Sequence, residues 1–284
     1  MTERTETGSG RRADRETRQT IAVTLALTAL VVASALLVPM LASARPAHQI
    51  PVHEPVGETS AASPDAAAWG DAPPVEVPMT SAPSGVPNAD TTSVEEVTVQ
   101  AIQTDERFYV RLSWADGTAD RNASSPREFA DALAVQVPVN QSARPPIAMG
   151  STRNPVNVWY WSSPSGAEEL LAGGPATTTE FEQPAVTVST SYEDGHWRVV
   201  LARDLQATGQ NRTVVPTDQD MDVAFAVWNG SEMERSGRKS VSEWYHFALG
   251  PGPQGPPYET LLWSVAGVSI VGVAIATVTA MRRT

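Results

Sequence analysis

The sequence contains no cysteine, and this absence removes several kinds of chemistry. A chain without thiols has no disulfide, no thiolate nucleophile, no cysteine-ligated iron–sulfur cluster and no cysteine-type zinc site. Histidine is also scarce, with four residues in 284. Two of these, His48 and His53, lie in a Pro- and Ala-rich stretch, and no Gly-X-Ser-X-Gly motif is present. The sequence therefore disfavours hydrolytic catalysis.

Lysine is nearly absent as well, because Lys239 is the only one in a chain with nineteen arginines. Arginine can replace lysine in most salt bridges, but its guanidinium stays protonated. A buried amine, in contrast, can lose its proton and act as a nucleophile or a metal ligand. The single lysine is therefore either required for its chemistry or left in the sequence by chance.

Acidic residues outnumber basic ones in the long central part of the chain. Residues 45–259 hold 13 basic and 28 acidic residues, a net charge of −15. Such a surface repels nucleic acid and anionic lipid, so we expect no nucleic-acid partner. Asp218, Asp220 and Asp222 alternate in a way that could serve calcium, but they lack the Gly and terminal Glu of an EF-hand loop. A solvated loop is the favoured interpretation of these three aspartates.

Two uncharged, apolar runs lie near the ends of the chain, at residues 19–44 and 260–281. Each exceeds the roughly 20 residues that a helix needs to cross a bilayer. Arginines precede the first run and follow the second, so the positive-inside rule places residues 1–18 and 282–284 in the cytoplasm. We therefore predict a plasma-membrane protein whose main domain is extracytoplasmic. Ala42-Ser43-Ala44 offers an alternative, since it is a possible signal-peptidase site and the first helix could be cleaved there.

Segments rich in Pro, Ala, Ser and Gly divide the rest of the chain. Residues 45–63 are typical of a tether, and Thr80–Thr92 forms a second loose stretch. Alternating glycines and prolines after Gly250 cannot hold a helix, so residues 250–259 are predicted to be a stalk.

The region between the tether and the stalk has the alternation of apolar and polar residues that is typical of β-strands. Gly166–Ala172 and Pro126–Ala130 are the exceptions, and we predict short helical turns there. The predicted strands are Val94–Ile102, Arg107–Trp114, Ala132–Val139, Val156–Trp161, Val186–Ser191, His196–Ala202, Asp222–Trp228 and Glu243–Leu249. We therefore predict a mainly β fold, an antiparallel β-sandwich over residues 64–249 flanked by transmembrane helices.

Met149 is poorly placed to fill a core, because it precedes Gly150 in a Pro-rich loop. Its thioether is a soft ligand of the kind that haem iron accepts on one face, and the other face then needs a nitrogen. A neutral lysine amine can supply that nitrogen. The tryptophans on predicted strands either fill the core or form walls for a flat apolar cofactor or a sugar.

Six pieces of the chain share a known pattern and occur in its order: Phe108–Thr118, Asp131–Pro138, Pro146–Gly150, Pro155–Trp161, Val223–Gly230 and Glu234–Ser242. Together they resemble the haem-binding γ subunits of ethylbenzene dehydrogenase, dimethylsulfide dehydrogenase, chlorate reductase and selenate reductase. These subunits serve molybdenum enzymes of the dimethyl sulfoxide reductase superfamily. The resemblance spans residues 64–249, and the acidity with so little lysine fits a membrane-bound haloarchaeal member.

The resemblance implies a domain that holds one haem b between two axial ligands. The family's methionine and lysine ligands correspond to Met149 and Lys239 in this sequence. A haem whose two axial positions are both filled by protein is an electron carrier, so no catalytic residue is expected. Trp159, Trp161 and Trp228 are then expected to wall the haem. The expected partners of its propionates are Arg238, Arg144, Arg153 and Arg235.

The resemblance also implies partners, namely a molybdopterin catalytic subunit and an iron–sulfur subunit, with membrane lipid around the terminal helices. The residues leave a second hypothesis open. The chain could instead be a cell-surface β-sandwich for carbohydrate binding or adhesion, with its tryptophans as the platform. That alternative predicts no effect of Lys239→Arg, whereas haem ligation requires the amine.

Overall fold

The computed structural model describes residues 48–56, 60–206 and 209–250. Among them, no helix is both long enough and apolar enough to cross a bilayer. Several sequence predictions fall outside these residues: the tails 1–18 and 282–284, the apolar runs 19–44 and 260–281, and nearly all of the stalk 250–259.

Regular structure in the described residues consists of fourteen strands and one short 3-10 helix at Ala67–Gly70. The strands are β1 (Gln49–His53), β2 (Val75–Pro78), β3 (Thr80–Ser81), β4 (Glu96–Gln103), β5 (Arg107–Ala115), β6 (Ala132–Pro138), β7 (Val156–Ser162), β8 (Gly166–Ala172), β9 (Thr179–Glu180), β10 (Val186–Glu193), β11 (His196–Asp204), β12 (Met221–Trp228), β13 (Ser240–Val241) and β14 (Tyr245–Ala248).

The strands follow one continuous hydrogen-bonded path, in the order β10-β11-β5-β4-β1-β14-β12-β6-β7-β8-β9. Strand β2 pairs with β4, and β13 pairs with both β12 and β3. Every pairing is antiparallel except those of β1, which runs parallel to β4 and to β14. The prediction of a mainly β domain is confirmed, but the two faces of the expected sandwich belong to one curled sheet.

The core lies inside the curl and draws on both ends of the strand path. In β5, for example, Phe108, Val110 and Leu112 alternate with polar residues and are completely buried. They meet Leu133, Phe225 and other inward side chains of the β6–β7–β12 half in one cluster. Burying a side chain of this size stabilises the fold by about 1.5–3 kcal/mol. The alternation in sequence therefore places the large apolar side chains of β5 inside the curl.

Strand β1 lies within the predicted tether of residues 45–63, so the structure differs from the tether prediction here. Ile50 is completely buried, and Gln49–His53 pairs with both β4 and β14. A proline, Pro51, lies in this strand although it has no N–H to donate. The proline-rich composition by itself is typical of a tether. The strand forms because β4 and β14, which are distant in sequence, pair with it.

Strand β8 overturns the predicted helical turn at Gly166–Ala172. Ala, Glu and Leu favour helix in isolation, but these residues pair along their whole length with β7. Tertiary pairing therefore overrides local propensity. The second predicted helical turn, Pro126–Ala130, contains a single backbone turn in which the Glu128 N–H donates to the Ser125 carbonyl at 3.0 Å.

Candidate functional site

The outer face of strands β12, β6 and β7 carries small side chains in its middle and larger ones at its sides. One cross-strand row runs from Val241 through Ala226 and Ala134 to Tyr160. The two alanines are buried, at 8% and 6% exposure, while the side chains at the ends of the row are only half-buried. We call this row and the apolar residues packed with it the alanine floor.

Met149 lies in the loop between β6 and β7, next to the alanine floor. Its thioether side chain is half-buried and packs against the cluster that contains Ala134. Its backbone has φ 62, a left-handed conformation that is costly for a residue with a Cβ. Two hydrogen bonds hold it: the Met149 N–H donates to the Ile147 carbonyl at 2.8 Å, and its own carbonyl accepts from Gly174 N at 2.9 Å.

Gly150 explains why the loop turns where it does. A Cβ at this position would lie 2.7 Å from the Asn154 carbonyl oxygen, and its φ is also positive, at 70. Only glycine avoids that clash. Gly150 therefore fixes the path of the backbone next to Met149.

Lys239 lies beside Trp228, an aromatic residue that packs against the alanine floor. It immediately precedes β13, which pairs with β12. Its Nζ lies 4.8 Å from the centroid of the Trp228 ring, a cation–π distance. Burial lowers the pKa of the Lys239 ammonium from its usual range. Among the described residues no carboxylate forms an ion pair with it. The neutral amine is therefore more accessible here than at an exposed lysine.

Aromatic residues complete the surroundings of Lys239. The Trp228 indole N–H donates to the Ser236 carbonyl at 3.1 Å, which fixes the ring under the lysine. Tyr160 meets the same ring edge-on, with centroids 5.8 Å apart. Trp244 also packs on the floor, and its buried indole N–H has no hydrogen-bond partner. A soft sulfur donor, a nitrogen donor, an apolar floor and an unpartnered N–H together fit a haem.

The structure separates two of the expected wall residues from this face. Trp159 and Trp161 point to the inner side of β7 and are 1% and 3% exposed. Trp159 packs against Phe108, and Trp161 against Trp114 and Trp197. They lie in the core, across the thickness of the sheet from Met149 and Lys239. Of the three tryptophans named from the sequence, Trp228 is the one on the outer face.

The four arginines expected near the propionates differ in their partners. Arg238 is half-buried, and it donates to the Thr91 carbonyl at 3.0 Å and to the Thr91 hydroxyl at 3.3 Å. Arg144 makes two hydrogen bonds to Asp222, at 3.0 and 2.6 Å. Arg235 lies over the Phe129 ring, and Arg153 is exposed. Arg238 is the nearest of them in sequence to Lys239.

Sequence reasoning missed Tyr160, Trp244 and the alanine floor. A signal for the floor was present, because Ala134, Ala224 and Ala226 occupy alternate positions of strands whose other face is large and apolar. A strand that is apolar on both faces has a second surface to cover.

Comparison with known proteins agrees with this chemistry. A family model described as ethylbenzene dehydrogenase matches residues 66–182 and 174–240. A respiratory nitrate reductase haem subunit of Haloferax mediterranei is 59% identical over 94% of this chain and 96% of its own length. The chlorate reductase γ subunit of Ideonella dechloratans is 33% identical, over 65% of this chain and 78% of its own. The dimethylsulfide dehydrogenase γ subunit of Rhodovulum sulfidophilum is 34% identical, over 65% and 74%.

Solved structures are more distant. A family 9 carbohydrate-binding module from Caldicellulosiruptor kristjanssonii, bound to cellotriose, overlaps with a TM-score of 0.43 at 12% identity, over 73% of this chain and 97% of the module. The sequence match is much the stronger of the two, and it confirms the resemblance drawn from the six pieces. The chain belongs to the ethylbenzene dehydrogenase family of haem-binding γ subunits.

Proposed function

We propose that this chain is a haem b electron-transfer subunit of a molybdoenzyme respiratory complex. It would be anchored in the plasma membrane, with the described domain on the outer side. In this role it passes electrons between the iron–sulfur and molybdenum subunits and a membrane or external redox carrier. It is a non-catalytic member of the complex, as the haem and γ subunits among its relatives suggest.

One observation carries the proposal: Met149 and Trp228 pack against the same alanine floor, and the only lysine of the chain lies over the Trp228 ring. Thioether and neutral amine are both ligands that low-spin haem iron accepts. The lowered pKa of Lys239 makes the deprotonated amine available, and arginine could not supply it. Met149 and Lys239 are the residues that would hold the haem iron.

Haem, when bound, supplies a one-electron iron couple, and the residues around it set the conditions for that couple. Methionine ligation favours the ferrous state and raises the potential. The alanine floor, Tyr160 and Trp228 exclude water from the bound group. Arg238 lies on the same loop as Lys239 and retains N–H groups that can bind a propionate. Trp159 and Trp161 lie on the inner face of the sheet, on the side opposite to the alanine floor.

The partners follow from the family. We propose a molybdopterin catalytic subunit and an iron–sulfur subunit as protein partners, and membrane lipid as the surroundings of the terminal apolar runs. The nitrate reductase haem subunit at 59% identity favours nitrate reduction as the reaction of the complex. The acidic surface disfavours nucleic acid.

The carbohydrate-binding alternative has less support. A sugar platform needs exposed aromatic faces, but five tryptophans of the described residues are at most 3% exposed: Trp69, Trp114, Trp159, Trp161 and Trp197. Trp228 and Trp244 are half-buried and pack against the alanine floor, and Trp228 lies beneath the Lys239 amine, which a sugar does not require.

The test is a visible spectrum of the full chain, expressed with ample haem and purified in detergent. We expect a Soret band that survives purification. Met149→Ala and Lys239→Arg should each abolish it or shift it to a high-spin form, because each removes one axial ligand.

Met233→Ala is the matched control, since Met233 is also a left-handed methionine in a loop but is 52% exposed. Its spectrum should equal that of the unmodified protein. A folded, colourless wild-type protein would contradict the proposal, and so would a Lys239→Arg protein with an unchanged low-spin spectrum.

A further inference from the structure

Three aspartates come together at the end of the sheet, away from Met149 in sequence. Asp116 follows β5, Asp120 lies in the next loop, and Asp131 immediately precedes β6. One oxygen of each lies within 4.8 Å of the others. Asp116 is 4% exposed and Asp131 is completely buried. Among the described residues, no arginine, lysine or histidine forms an ion pair with any of the three.

Asp131 and Asp120 have well-defined hydrogen-bond partners. Asp131 Oδ1 accepts from Gly230 N at 2.9 Å, and its Oδ2 accepts from Asp120 N at 2.7 Å and from the Trp197 indole at 2.9 Å. Asp120 Oδ2 accepts from the Thr118 hydroxyl at 2.7 Å and from Ser231 N at 3.0 Å. These bonds hold the two carboxylates in place but bring no positive charge.

Asp116 is the member with one unpartnered carboxylate oxygen. Its Oδ1 accepts from Thr118 N at 3.1 Å and from the Asn229 side-chain amide at 3.4 Å. Its Oδ2 is buried without any hydrogen-bond partner. Burial, and to a smaller extent the charges of Asp131 and Asp120, raise the pKa of Asp116 to about 6. A buried carboxylate oxygen without a partner is costly, and a bound cation would remove that cost.

We propose that Asp116, Asp120 and Asp131 bind a calcium ion. All three donors are hard carboxylate oxygens, and the cluster contains neither histidine nor cysteine, which zinc prefers. Calcium binds oxygen at about 2.3–2.6 Å, so oxygens within 4.8 Å of one another can share one ion. The unpartnered Asp116 oxygen is the donor that the ion would satisfy.

The ion would brace the loop that follows β12. Gly230 and Ser231 donate their N–H groups to Asp131 and Asp120, so the loop is tied to the cluster. Gly230 packs so closely that an added Cβ would lie 2.0 Å from the Phe129 carbonyl oxygen. The same loop continues to Lys239. Calcium at the cluster therefore stabilises the approach of Lys239 to the alanine floor, a consequence that rests on the proposed function.

The experiment uses terbium, which replaces calcium and emits when a nearby tryptophan is excited. The full chain in detergent, stripped of metal with a chelator, is titrated with Tb³⁺ and then with Ca²⁺. Because the Trp197 indole donates to Asp131, we expect tryptophan-excited Tb³⁺ emission that Ca²⁺ displaces. Asp116→Asn should weaken Tb³⁺ binding by about tenfold or more, since it removes one ligand charge. Asp218→Asn is the control, because Asp218 is an exposed acidic residue outside the cluster, and its variant should bind normally.

Thermal unfolding of the wild-type chain provides a second test that needs no variant. Added Ca²⁺ should raise the midpoint of the metal-stripped protein, since an ion that binds only the folded state stabilises it. No rise and no Tb³⁺ emission would overturn the proposal. A midpoint that depends on pH but not on Ca²⁺ would also overturn it, because a proton would then occupy the cluster. Tb³⁺ binding does not involve haem, so this result and the Soret result are separable.

Discussion

The two faces of strands β6, β7 and β12 are built from the same alternating sequence and have opposite properties. The inner face carries large side chains such as Trp159 and Phe225, at 1% and 2% exposure. The outer face carries Ala134 and Ala226, each of which is the chain neighbour of inward-facing residues on its strand. Large side chains fill the inner face, whereas the buried alanines of the outer face lie among half-buried residues. The difference teaches that the inner face holds the sheet together, while the outer face carries the residues that we propose to hold haem.

An ion network reinforces the inner face. Arg203 on β11 and Glu169 on β8 are both completely buried, with 3.7 Å between Arg203 Nη1 and Glu169 Oε1. Arg203 also donates to Asn157 Oδ1 at 3.2 Å, and Arg212 binds the same Glu169 carboxylate. Burial lowers the pKa of Arg203, while the charge of Glu169 raises it. The network joins strands from opposite ends of the sheet path.

The largest expected effect comes from breaking this network with Arg203→Met. The change leaves Glu169 buried with less positive charge, which should cost about 3–5 kcal/mol in the free energy of unfolding. Urea unfolding of the purified chain measures it. Arg198→Met is the matched control on the same strand, because Arg198 is partly exposed and forms only long ion pairs, at 3.5 and 3.6 Å. Equal losses in the two variants would contradict the distinction.

Removing bulk from the inner face should have the next largest effect. Val227 is completely buried, and Val227→Ala removes two methyl groups and leaves a cavity. We expect a loss of about 2 kcal/mol in unfolding free energy and an unchanged Soret band in the folded protein. A changed spectrum would show that the inner face takes part in binding.

A change at the neighbouring residue, on the outer face, should weaken haem binding. Ala226→Leu adds volume to the alanine floor, where the bound group would rest. We expect haem affinity to fall by about tenfold, or about 1.4 kcal/mol, because the added side chain occupies the space of the bound group. Haem titration of the metal-replete chain measures the affinity. An unchanged affinity would contradict the placement of haem on this floor.

The smallest effect is expected at a partly exposed ion pair on the outer face. Arg144 binds Asp222 with two hydrogen bonds, but its side chain is 53% exposed. Asp222→Asn should lower the unfolding free energy by less than about 1 kcal/mol. The difference should shrink further in 1 M salt, where charges at the surface are screened within about 3 Å. A loss larger than that of Val227→Ala would reverse the ranking of the two faces.

Much of the fold could be predicted from the sequence, because most strands carry local alternation. Arg107–Trp114 was predicted and the strand is Arg107–Ala115. The predictions failed where distant residues decide the structure. Strand β8 has a helix-favouring composition and is held by β7, and β1 lies in a proline-rich stretch and is held by β4 and β14.

The site could be predicted in part for the same reason. Met149 and Lys239 stand out by residue type and local sequence. The alternation of Trp159, Tyr160 and Trp161 predicts that the tryptophans share one face, but it does not say which face is inside. The aspartate cluster joins the ends of β5 and β6, and only the fold brings these together. Local patterns give the strands and the unusual residues, whereas the sheet order decides which of them meet.

Strands β1 and β14 also give the domain a mechanical property. They are the first and last strands of the described chain, and they lie side by side and parallel, with Gln49 opposite His246 and Pro51 opposite Ala248. A pulling force on the two chain ends would load their hydrogen bonds together in shear and could not peel them apart one by one. The seam therefore acts as a clamp, and single-molecule stretching should show a high rupture force that a weakened β1 lowers.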